Sequence, residues 1–166
     1  MQGGDGVDHP DLKAMLDYWK SRRSGQGLPA RRDIDPVDFP KVLPRVALVD
    51  VLDEPDGLHF RYRLTGTEIV ARAGRDPTGK RFDALYSGDY LAQALETYRT
   101  IVDSRAPHYS RRAFPMVDGR EHLEYARLIL PLAADGRRVD MLLLVTADLK
   151  AVSQDPVPQL FDPHNP

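Results

Sequence analysis

Cysteine is absent from this chain of 166 residues. Its absence excludes disulfides, zinc fingers, iron–sulfur clusters and a thiol nucleophile. It also excludes a photosensor that forms a cysteinyl-flavin adduct, because that adduct needs a thiol. Several chemistries are therefore closed to this chain.

Long apolar runs are also lacking. The longest run extends from Met141 to Val145, far short of the ~20 residues that a membrane-spanning helix needs. The N-terminal residues Met-Gln-Gly-Gly-Asp-Gly contain no basic region followed by an apolar stretch. No secretory signal is visible, and we expect a cytoplasmic protein.

Neither sign of charge is in excess. The chain has 23 Lys and Arg against 25 Asp and Glu, a formal net charge of -2, and 42% hydrophobic residues. These values are typical of an ordinary globular protein and argue against nucleic acid or a membrane surface as a partner.

The length of the chain fits a single domain, which we predict over residues 11–150. Residues 1–10 are rich in glycine and aspartate, and residues 151–166 contain four prolines. Proline cannot sustain a helix or a sheet ladder. Both ends are therefore predicted to be disordered tails.

Apolar periodicity along the chain predicts an α+β fold. Residues 11–24 and 89–104 have helical spacing, and residues 67–73 allow two further helical turns. Strand-like segments lie at about 45–52, 59–64, 108–117, 121–132 and 139–148, separated by turn residues. This order predicts a five-stranded antiparallel sheet with a helical insert on one face and an additional N-terminal helix.

The N-terminal helix has an apolar stripe formed by Leu12, Met15, Leu16 and Trp19. A stripe of this size has to be covered. Its positions allow packing on the outer face of the chain's own sheet, or pairing with the same helix of a second copy. We predict a homodimer through this helix.

Several local sequences, taken in order, resemble a PAS domain. They are Leu16-Asp17-Tyr18-Trp19, Leu28-Pro29-Ala30-Arg31, Ile34-Asp35-Pro36, Phe60-Arg61-Tyr62-Arg63-Leu64 with Gly66-Thr67, and Gly74-Arg75-Asp76 with Thr78-Gly79. The resemblance covers about Asp11 to Leu149 and is to the stand-alone bacterial PAS family that begins with a helical segment. It implies a domain that binds small molecules between sheet and helical insert, or contacts proteins through the sheet and flanking helix.

The implied pocket has candidate lining residues on strands and helices. They are Tyr62, Leu64, Ile69, Phe82, Leu95, Tyr98, Tyr125 and Arg127. Arg127 shares a strand face with Tyr125, and a guanidinium beside tyrosines suits a planar or carboxylated ligand. The alternative is plain core packing, with Arg127 on the solvent side.

No cofactor and no metal site is predicted, although an unidentified small ligand is possible. Haem is disfavoured because helix 89–104 contains no histidine to serve as the proximal ligand, although His108 follows it. His122 shares a strand face with Glu124 alone, which leaves too few ligands for a closed metal site.

We therefore expect a non-enzymatic sensor or adaptor in bacterial signal transduction that binds a small ligand, a signalling protein or both. The second hypothesis is a pure interaction module with a closed interior and an exposed apolar patch. The third is a small isomerase or dehydratase. A carboxylate with a raised pKa inside an open cavity would indicate an enzyme, and its candidates are Asp50, Asp140, Asp148 and Glu124.

Overall fold

The computed structural model of this chain describes residues 6–115 and 121–153. Its helices and strands are α1 (Pro10–Ser21), β1 (Val46–Glu54), β2 (Gly57–Thr65), α2 (Thr67–Ala73), α3 (Phe82–Leu85), α4 (Gly88–Ser104), β3 (His108–Pro115), β4 (Glu121–Leu132) and β5 (Met141–Ser153). Three short 3-10 turns lie between α1 and β1. Among these residues, none of the helices has the length and apolar character that crossing a membrane requires.

The five strands form one antiparallel sheet in the order β2-β1-β5-β4-β3. The β1–β2 hairpin turns at Pro55 and Asp56. Gly57 follows with a φ of 123°, a conformation that glycine adopts more easily than any residue with a Cβ. The predicted five-stranded α+β fold is confirmed.

Different helices cover the two faces of the sheet. Directly opposite residues of antiparallel strands share a face. We call the side of the sheet that faces α3 and α4 the helical face, and the side on which α1 packs the N-terminal face. The helical face contains Phe60 of β2, whose ring centroid lies 5.5 Å from that of Phe82 and 5.3 Å from that of Tyr98. The N-terminal face contains Leu128 and Val145, which lie opposite each other on β4 and β5. Because both faces are covered, the central part of β5 is buried at every position from 142 to 147.

Helix α1 packs on the N-terminal face. Pro10 suits the first helical position because its missing N–H needs no partner there, and the His9 ring accepts a hydrogen bond from the Asp11 N–H. The indole of Trp19 donates a 2.9 Å hydrogen bond to the Pro131 carbonyl on β4. The helix ends at Ser21 instead of the predicted Ser24, because the Arg22 N–H is shared with the Trp19 carbonyl and the Arg23 N–H bonds to Lys20, only three residues back.

The fold extends beyond both predicted domain boundaries. Val7 is buried, and the Asp8 carboxylate accepts hydrogen bonds from Tyr109 and Arg111 of β3. These residues therefore belong to the N-terminal face. At the other end β5 continues to Ser153, which pairs with Glu121 of β4. The remaining residues of the predicted tails, and residues 116–120 between β3 and β4, lie outside the described residues.

Strand β2 contains a bulge that changes the direction of one side chain. Leu48 pairs with Leu64, whereas the next residue, Val49, pairs with Tyr62, so Arg63 is an extra residue. One extra residue inverts the alternation of a strand. Leu64 is consequently 47% exposed, although the sequence pattern placed it on the buried side together with Tyr62.

Candidate ligand cavity

A cavity of about 70 Å³ lies between the helical face of the sheet and helices α3 and α4. Its lining residues are Tyr62, Phe82, Tyr86, Tyr90, Gln93, Ala94, Thr97, Tyr98, Arg112 and Arg127. A buried water needs ~10–15 Å³ by the same kind of measure, so the space fits about five waters or a ligand of a few heavy atoms. It is smaller than the roughly 300–1,000 Å³ of pockets for drug-sized ligands.

Half of the residues that line the cavity are aromatic. Phe82 of α3 lies at the centre, with ring centroids 5.0 Å from Tyr62 and 4.9 Å from Tyr98. The hydroxyls of Tyr62 and Tyr86 share a 2.9 Å hydrogen bond. Burial raises the pKa of Tyr62, Tyr86, Tyr90 and Tyr98. The phenols therefore stay protonated at neutral pH and keep their ability to donate a hydrogen bond.

Arg127 of β4 brings a buried positive charge into this wall. Its side chain is almost fully buried, with 5% of the residue exposed, and the guanidinium lies 5.7 Å from the centroid of the Tyr98 ring. Its Nε has no hydrogen-bond partner, and no carboxylate belongs to the cavity lining. A guanidinium buried without a partner charge costs several kcal/mol of stability. The arrangement favours an anion in the cavity.

Other polar groups accompany Arg127 on the helical face. Arg112 of β3 is half-buried and also lines the cavity. The Ser110 and Tyr125 hydroxyls are buried and have no hydrogen-bond partner. Burial, reinforced by the charge of Arg127, lowers the pKa of His108 from 6.5 to about 4. His108 is therefore neutral at pH 7.

The predicted pocket residues divide into two groups. Tyr62, Phe82, Tyr98 and Arg127 come together in the cavity wall. Tyr125 is buried on the same face, 5.0 Å under the guanidinium of Arg72. Ile69 and Leu95 are not among the lining residues, and Leu64 is exposed because of the bulge in β2. Arg127 is not on the solvent side, where the core-packing alternative placed it.

Helix α4 lines the cavity through Tyr98 and through four residues that were not among the predicted pocket residues. Tyr90, Gln93, Ala94, Thr97 and Tyr98 follow one another at helical spacing. Leu91 and Leu95 of α4 pack against the hydrophobic core and do not line the cavity. Polar Gln93 and Thr97 interrupt the apolar pattern on this side. Their helical spacing with Tyr90 was the signal that could have identified them.

The family model of the PAS domain matches residues 7–145. The chain belongs to the PAS domain family. PAS domains are sensory modules of signal transduction, and the match takes in both the cavity and α1. No curated protein matches the sequence of this PAS domain.

Solved structures with a similar fold include several light-oxygen-voltage domains. The Rhodobacter sphaeroides LOV protein is 17% identical, with 70% of this chain and 69% of that chain covered and a TM-score of 0.45. A fungal LOV domain photoreceptor is also 17% identical, with 87% and 98% covered and a TM-score of 0.45. The dark structure of Aureochrome1 LOV is 11% identical, with 70% and 84% covered and a TM-score of 0.47.

The apolar stripe of α1 packs on the PAS domain's own sheet, one of the two arrangements that its spacing allowed. Leu12, Met15, Leu16 and Trp19 are all 3% exposed or less. These side chains are therefore not available to a second copy. The predicted homodimer would have to use other surfaces.

The acid–base candidates do not meet in the cavity of the PAS domain. Asp50 is buried, but Arg61 and Arg63 donate to its two oxygens at 3.0 and 2.7 Å. Asp148 forms an ion pair with Arg72 of α2. Asp140 is exposed, and Glu124 is not among the lining residues.

One group of side chains in the described part of the PAS domain has the spacing of metal ligands. It consists of Glu54, Asp56 and His59 at the β1–β2 hairpin. Its members are already engaged. Arg81 donates to both oxygens of Glu54 at 2.6 and 2.9 Å, and a nitrogen of His59 lies 3.0 Å from the Asp56 carboxylate. The predicted pair of His122 with Glu124 includes a side chain outside the described part.

Proposed function

We propose that this PAS domain is a non-enzymatic sensor in bacterial signal transduction whose cavity binds a small ligand with a carboxylate. The observation that supports this proposal is Arg127, a buried guanidinium in the cavity wall without a carboxylate partner in the described part of the chain. A planar carboxylate can accept two parallel hydrogen bonds from a guanidinium. Ligand binding would supply the missing negative charge.

The remaining wall suits the same ligand. Buried phenols that stay protonated are neutral donors for carboxylate oxygens. A planar ligand can also contact the rings of Phe82 and Tyr98, which meet edge to face. The small volume excludes bulk water and strengthens each electrostatic contact.

Binding would act on the insert helices, because α4 supplies half of the lining residues. A ligand held between Arg127 on the sheet and Thr97 on α4 would link the two layers. Differential contacts of this kind shift a domain between conformations. We propose that a movement of α4 against the sheet is the signal that a partner protein detects.

The test compares the purified domain with the variant Arg127→Met in native mass spectrometry, with a denatured sample and an absorption spectrum as controls. We expect excess mass on the wild type that disappears on denaturation and is missing from the variant. Methionine keeps the side-chain length without the charge, so the variant is expected to fold at least as stably as the free wild type. Arg137→Met, at an exposed turn residue, is the matched control.

A wild-type mass equal to that of the bare chain would contradict the sensor proposal and favour the interaction module. Excess mass that survives Arg127→Met would show that the ligand does not use this guanidinium. A Soret band in the absorption spectrum would restore haem as a candidate.

Homodimerisation is the second part of the proposal. An open, mostly apolar groove of about 340 Å³ lies between α1 and the connector, the segment of residues 22–45 that joins α1 to β1. Ala14 of α1 and Phe39 of the connector line it. Such a groove is a surface that a second copy of this chain can cover.

A further inference from the structure

Within the described residues, all but two of the arginines on the strands and α2 form ion pairs. Asp8 pairs with Arg111, and Asp148 pairs with Arg72. Asp50 pairs with both Arg61 and Arg63. Arg112 and Arg127 have no such partner within the described residues, and both line the cavity. Two positive charges therefore face one small space.

The sheet register places these two arginines side by side. Arg112 of β3 lies directly opposite Tyr125 of β4, and Arg127 is two residues further along β4. This diagonal relation puts the two residues on the same face, about 7–8 Å apart at the backbone. Arg127 is buried whereas Arg112 is half-buried, so one guanidinium is deep and the other lies closer to the surface.

Nothing else in the cavity wall balances this charge. The lining contains no carboxylate, and burial keeps its tyrosines protonated. His108, on the same face of β3, is neutral at pH 7 because its pKa lies at about 4. A ligand with one negative charge would leave one guanidinium without a partner. A ligand with two acidic groups would match both.

We propose that the ligand is a short dicarboxylate, with one carboxylate on Arg127 and the second on Arg112. This inference rests on the proposed function and assigns the chemical class of its ligand. Space for about five waters limits the ligand to a short chain between its two carboxylates. Arg112 is then the residue that distinguishes dicarboxylates from monocarboxylates.

Titration calorimetry at constant ionic strength tests the assignment with acetate, malonate, succinate and inorganic phosphate as probes. We expect wild type to bind malonate or succinate at least about tenfold more tightly than acetate, the size of one charge-assisted hydrogen bond. The variant Arg112→Gln should still bind acetate. Its preference for dicarboxylates should fall to within about threefold, which is less than one charge-assisted hydrogen bond supplies. Arg127→Gln should lose both kinds of ligand.

The matched control is Arg111→Gln, because Arg111 is the neighbour of Arg112 on β3, lies on the opposite face and is exposed. This variant should keep the wild-type preference. Equal binding of acetate and dicarboxylates to wild type would overturn the dicarboxylate assignment and leave the proposed function intact, provided Arg127→Gln abolishes both. Tighter binding of phosphate than of every carboxylate would replace the dicarboxylate by a tetrahedral anion. Failure of all four probes to bind, or unchanged binding to Arg127→Gln, would overturn both proposals.

Discussion

His108 shows how a single buried side chain makes the stability of this domain depend on pH. Its folded-state pKa of about 4 lies below the ordinary value of 6.5, because burial and the charge of Arg127 oppose protonation. The unfolded chain therefore binds a proton more readily than the folded one between these two values. The free energy of unfolding is therefore unaffected by this group above pH 6.5. It decreases as the pH falls from 6.5 towards 4, because protonation favours the unfolded chain.

We expect the variant His108→Gln to lose less stability than wild type when the pH is lowered from 7 to 4.5. Urea unfolding of both proteins at the two pH values measures the difference. Carboxylates that are paired in the fold also lose stability in acid, but wild type and variant share them, so their contribution cancels in the comparison. Equal losses in the two proteins would show that His108 is solvated and titrates normally.

At the residue scale, the sequence identified the chemistry of the site better than its geometry. Alternation along β4 correctly placed Arg127 with Tyr125 on one face, because that part of the strand is regular. The same reasoning failed for Leu64, because the extra residue in β2 leaves no sequence signal that alternation can detect. Arg112 was missed because its importance depends on the register between β3 and β4.

At the scale of elements, α1 is part of the core and not an appended arm. Leu16 is completely buried against the sheet. We expect Leu16→Ala to lower the free energy of unfolding by about 2–5 kcal/mol, through lost apolar burial and the cavity left behind. Lys20→Ala, at an exposed position of the same helix, should change it by no more than about 0.5 kcal/mol.

Urea or thermal unfolding followed by circular dichroism measures both variants of α1. A loss below about 1 kcal/mol for Leu16→Ala would mean that α1 detaches easily from the sheet, since full burial of a leucine is worth more than that.

The apolar stripe alone could predict which side of α1 is buried. It could not predict what covers that side, because the chain's own sheet and a second copy offer equally apolar surfaces.

At the scale of the whole molecule, we expect a dimer that forms through the groove between α1 and the connector. Light scattering should give twice the 18.7 kDa mass of one chain at micromolar concentration. Ala14→Glu places a charge in the groove and should give the mass of one chain while the circular dichroism spectrum stays that of a folded domain. Lys20→Glu, on α1 but outside the groove lining, should leave the dimer intact.

A concentration-independent mass of one chain for wild type would contradict the dimer. A dimer that survives Ala14→Glu would place the contact elsewhere.

The order of elements along the chain was sufficient to predict the fold class, because each strand and helix has its own local pattern. The position of β5 between β1 and β4 was not predictable in the same way, since it depends on pairing between distant segments.

That pairing determines when the domain can fold during synthesis. Val46 of β1 lies opposite Val145 of β5, and α1 rests on β4 and β5. In a nascent chain, α1 therefore has no sheet to pack on until β4 and β5 have left the ribosome. Until then β1 can pair only with β2, as an isolated hairpin. Contacts between such distant segments slow folding, because the long loop must close before they form. Until then the apolar stripe of α1 is exposed to chaperones and to other nascent chains.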